Sequence, residues 1–61
     1  MNFTDTQKLE AVRREIKWRR KVFPNRVHSR RMTPHEADYQ IKIMEAIAAD
    51  YEAMAEMERL I

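Results

Sequence analysis

The sequence predicts an all-α fold, an antiparallel helical hairpin that dimerises into a four-helix bundle. Three observations predict it. The 61 residues include no Gly and two Pro, so the chain has few points at which a helix must stop. A helix start signal, Met32-Thr33-Pro34-His35-Glu36, stands near the middle of the chain. Apolar residues recur on both sides of it at three- and four-residue spacing, over more than one stripe of each helix.

The second helix is the better announced. Thr33 suits the N-cap, Pro34 the first helical position where its missing N–H costs nothing, and Glu36 the far corner of a capping box. Met32 and Ala37 are placed for a modest hydrophobic staple. No Pro follows, so the helix is expected over about 34–60, roughly 40 Å at 1.5 Å per residue. Ala37, Ile41, Met44, Ala48, Tyr51 and Ala55 alternate four- and three-residue steps and form a heptad seam. Ile43, Ile47, Met54, Met57 and Ile61 make a second row beside it.

The first helix is expected over about 5–23. Thr4 caps it, Asp5 complements the dipole of its first turn, and Gln7 completes a weaker box. Pro24 disfavours helical dihedrals at Phe23 and sets the expected end. Leu9, Val12, Ile16 and Phe23 form the seam, with Arg19 standing where an apolar residue belongs. Glu15 lies four residues before Arg19, in the favourable order for a helical ion pair. The pair is either half-exposed beside the seam or buried and fixing register. Ala11, Trp18 and Val22 form the outer edge of the apolar arc. Residues 24–33 are read as the connection, with Asn25 after Pro24 in a turn, and 1–61 as one domain. On these lengths the end of the second helix, near Met57, Leu60 and Ile61, is expected to overhang its partner.

Charge divides along the chain. Residues 1–31 hold ten Lys or Arg against three acids, a net of +7, and residues 32–61 hold two against seven, a net of −5. A hairpin brings these halves together. Seam alignment places Arg13 and Arg20 on the flank that meets Glu45 and Glu52. Arg14, Lys17 and Lys21 face away from the second helix, and Arg26, Arg30 and Arg31 belong to the connection. These six are the candidate contacts for phosphate or an acidic partner. They read either as a solvated basic surface or as the footprint of a nucleic-acid binder, and no helix-turn-helix, RNP, GXXG or zinc-knuckle pattern accompanies them.

Catalytic and metal chemistry is not expected, nor any cofactor. There is no Cys, which removes disulfides, thiolate zinc sites and a cysteine nucleophile together. His35-Glu36 begins like HExxH, but Tyr39 stands where the second His must share the helical face. His28 has no local carboxylate to orient it as a base. A two-helix hairpin offers no deep pocket, so the chain is expected not to be an enzyme. MNFTDTQKLE has neither the basic nor the apolar segment of a secretory leader, and no stretch reaches the ~18 apolar residues of a membrane span. A cytoplasmic location is the expectation.

Small chains bury little of their surface, and the usual staples are missing here. The second stripes, Trp18 and Val22 on one helix and Ile43, Ile47, Met54, Met57 and Ile61 on the other, are therefore expected to pack against a second copy or another protein. The flexible thioethers of Met54 and Met57 suit such a surface.

The run EIKWRRKVFP, with Glu15, Ile16, Arg19, Val22 and Pro24, followed by RMTPHEADYQIKIMEAIAADY, resembles small uncharacterised helical proteins encoded in bacteriophages and prophages of proteobacteria. The resemblance covers about residues 9–51 and brings no catalytic motif. It implies a bacterial or phage cytoplasm and no particular activity; the wide apolar arcs are what motivate the expectation of an accessory or regulatory role exerted on a host protein.

Overall fold

A computed structural model describes residues 2–60; Met1 and Ile61 lie outside them. Two antiparallel helices, α1 (Asp5–His28) and α2 (Pro34–Leu60), pack along their length, and no strand occurs among the described residues. The molecule measures 47 × 20 × 17 Å. Its radius of gyration, 14.2 Å, exceeds the roughly 10.5 Å of a globular chain of this length. A rod of this shape has much surface for its mass.

α1 starts as its residues direct. The Thr4 hydroxyl accepts from the Gln7 N–H at 3.0 Å and the Gln7 side chain accepts from the Thr4 N–H at 2.9 Å, a complete reciprocal box. At α2 the Thr33 hydroxyl accepts from the Glu36 N–H at 3.1 Å, and no return bond from Glu36 is made among the described residues. The box expected to be the weaker is the complete one.

The end of α1 corrects the expectation. The helix passes through Pro24 and stops at His28, five residues beyond Phe23, so the connection shrinks from 24–33 to residues 29–33. Pro24 is exposed, and its ring leaves the Arg20 carbonyl without its helical N–H. Against that loss, the extra turn brings half-buried Val27 into a recess it shares with Phe23, Pro34, Ala37 and Ile41. The turn closes as a Schellman motif: the Arg31 N–H donates to the Arg26 carbonyl at 2.9 Å and the Arg30 N–H to the Val27 carbonyl at 3.1 Å. Arg30 takes the left-handed position, φ 62°, that glycine ordinarily fills.

The core is the predicted seam. Leu9, Ile16 and Phe23 of α1 and Ala37 and Ala55 of α2 are buried, while Val12, Ile41, Met44, Ala48 and Tyr51 are half-buried. The expected overhang of α2 does not occur to the extent foreseen. Asp5 at the start of α1 is level with Glu58, whose carboxylate accepts from the Asp5 N–H at 2.8 Å. A side chain from one helix thus caps the other, and its charge suits the positive end of the α1 dipole. Met57 and Leu60 nevertheless stay exposed.

Candidate functional site

The hairpin has two unlike flanks, and the heptad register explains both. On one flank Arg13 pairs with Glu52 at 3.6 Å and Arg20 with Glu45 at 2.5 Å, the partners expected from seam alignment. These pairs bracket a shallow groove with Ile16, Ala48 and Ala49 in its lining. All four charged side chains are about half exposed or more, so each pair is worth ~0 to 1 kcal/mol and acts chiefly on register.

Near the opposite edge lies Arg19. Its side chain is 22% exposed, against 41% for Glu15, whose carboxylate accepts from the Arg19 Nε at 2.9 Å. The ion pair therefore sits between the two alternatives, with the guanidinium mostly covered and the carboxylate half in water. Arg19 also donates to the Gln40 carbonyl of α2 at 2.9 Å, a cross-helix bond that periodicity alone does not reveal.

The second flank is apolar. Trp18 (46% exposed) and half-buried Val22 lie on α1, with Ile43 (44%), Ile47 (37%) and Met54 (46%) on α2. Trp18 is about level with Glu45 on the mean register of the cross-helix bonds, so Ile43 and Ile47 bracket its height. Met57 continues the Ile43 row toward the chain ends, and Ile61 falls outside the described residues. The residues foreseen as a second stripe are thus brought to one side of the hairpin by the fold.

The six foreseen cations are not brought together. Arg14, Lys17 and Lys21 are exposed along α1, and Arg30 and Arg31 sit at the turn. None of these five has a carboxylate within ion-pairing distance among the described residues. Arg26 belongs to the apolar flank instead, its guanidinium 5.4 Å from the centre of the Trp18 ring and 5.7 Å from that of Phe23. Lys8 similarly lies 5.7 Å over Tyr51. Cations over aromatic faces extend an apolar surface through their stems. The reading of residues 24–33 as a loop hid Arg26, because only a continuous helix sets it two turns from Trp18.

The accessible surface totals 5218 Å². A folded monomer of 7.4 kDa is expected to expose about 4,200 Å². The surplus, roughly 1,000 Å², is close to the ~800 Å² that each partner contributes to a standard protein interface.

Among the described residues no helix is long and apolar enough to cross a membrane. No family model matches the chain, and neither a curated protein nor a solved structure matches it.

Proposed function

We propose that this chain is a non-enzymatic interaction protein that acts as a homodimer, using the flank of Trp18, Val22, Ile43, Ile47 and Met54. One observation carries the reading: the surplus of exposed surface, to which the large apolar side chains of this flank contribute. Dimerisation would convert two thin rods into a four-helix bundle with a shared core. The same apolar flank suits an accessory or regulatory role exerted by binding a host protein, in the bacterial cytoplasm that the resemblance of residues 9–51 implies. Size-exclusion with light scattering at micromolar concentration is the test: a mass of twice 7.4 kDa is expected, and a folded monomer overturns the reading.

A second reading rests on Arg14, Lys17, Lys21, Arg30 and Arg31, whose charges are not balanced by a neighbouring acid among the described residues. It assigns the chain to phosphate backbones of nucleic acid. Binding to DNA or RNA should then weaken steeply between low and physiological salt. A mobility-shift series showing no complex at low salt removes it.

A further inference from the structure

We infer that in the dimer each α1 packs against the partner's α2, with the two-fold axis along the bundle and both turns at the same end. This rests on the homodimer reading and adds its geometry. Two face-to-face arrangements of the apolar flank are available. In one, α1 lies on the partner's α1 and α2 on its α2, with the turns at opposite ends. In the other, the helices alternate around the bundle. Both make every neighbouring pair antiparallel, so helix dipoles do not choose between them. Charge and shape do.

The like-on-like arrangement sets the basic helix on its own copy and the acidic helix on its own copy. The alternating one places each basic helix between two acidic ones, given the net charges of +7 over residues 1–31 and −5 over 32–61. Charges on the flank itself give the same preference. Lys8 stands on the row of Glu15 and Val22, and Glu36 and Asp50 stand on the row of Ile43 and Met57, each seven residues apart. Arg26 is on this side through its place over Trp18. Arg26 is within about a residue of the height of Glu36 in the register of the hairpin, and Lys8, about one and a half turns from the height of Asp50, reaches toward it with its ammonium over Tyr51. Alternation therefore opposes Arg26 to the partner's Glu36 and Lys8 to the partner's Asp50. The like-on-like arrangement, centred on the middle of the rods, opposes Arg26 to Lys8 and Glu36 to Glu58.

The apolar residues also match in height. Alternation lays Trp18 against the interval between Ile43 and Ile47 of the second copy, a large ring facing a gap between two branched side chains. Glu15 meets this interface already bonded to Arg19, so it brings no free charge to be buried.

The chain has no Cys, so one introduced thiol carries one spin label per copy. Pulsed dipolar spectroscopy on Ser29→Cys, labelled at the turn, is the experiment, with Asn2→Cys at the other end as a second variant. Neighbouring helix axes lie 8–10 Å apart, so alternation predicts label separations within about 25 Å for both variants. Separations of about 35 Å or more, the length of α1, overturn the arrangement while leaving the dimer intact. A monomeric mass with no intermolecular distance overturns the homodimer reading and this geometry with it.

Discussion

Arg30 and Arg19 show what single side chains do here. Arg30 holds φ 62°, a left-handed conformation in which a Cβ crowds the following carbonyl, and it does so because the Schellman closure of α1 demands it. Arg30→Gly should therefore raise stability by about 1 kcal/mol, read as a shift of the denaturant midpoint at unchanged slope. Arg19 makes two bonds with one guanidinium, to its own helix at Glu15 and across to the Gln40 carbonyl. Arg19→Ala removes both and opens the seam, so a loss of ~1 to 2 kcal/mol is expected in urea unfolding. Arg19→Leu restores an apolar residue at a seam position and should come within about 1 kcal/mol of the parent. A leucine variant as unstable as the alanine one would show that the cross-helix bond, more than packing, holds this level of the hairpin.

At the level of the helices, the caps and the stripes decide. Thr4, Gln7 and Thr33 all act where their spacing places them, and the seam from Leu9 to Phe23 faces the seam from Ala37 to Ala55. These features were legible because capping and periodicity are local. The end of α1 was not, because local preference at Pro24 opposes a helix while the burial of Val27 against the start of α2 favours one. Which effect wins depends on a contact between residues far apart in sequence, and the closing left-handed residue is an arginine that carries no signal of its role. The Glu58 cap on Asp5 and the placement of Arg26 over Trp18 were hidden for the same reason. Pro24→Ala tests the balance. It returns an N–H to the Arg20 carbonyl and relieves the ring clash, so α1 should gain at least ~1 kcal/mol, visible as a higher thermal midpoint with unchanged helical content. A loss of stability instead would mean that the Pro24 ring, which lines the same recess as Val27, contributes more by packing than it costs the helix.

For the molecule as a whole, the hairpin is a rod 47 Å long with one ion-paired flank and one apolar flank, and the proposed bundle would cover the apolar one. If the second half is another copy, folding and association are linked, and stability must depend on chain concentration. Each tenfold rise in concentration should add about 1.4 kcal/mol per dimer, so the thermal midpoint climbs across a dilution series. Trp18, the single tryptophan, lies in the proposed interface and reports it directly: its emission should be blue-shifted in the dimer and move to longer wavelength on dilution. Ile47→Lys puts a charge in the proposed interface, at a position 37% exposed in the single hairpin. The lone hairpin accommodates it with the ammonium in water, whereas the dimer must desolvate it without a partner. The variant should keep its helical spectrum at high concentration while losing both the concentration dependence and the blue-shifted emission. Lys21→Glu, on the outer side of α1, should leave both intact. Equal behaviour of the two variants would remove the apolar flank as the site of association, because only one of them changes the surface proposed to be shared.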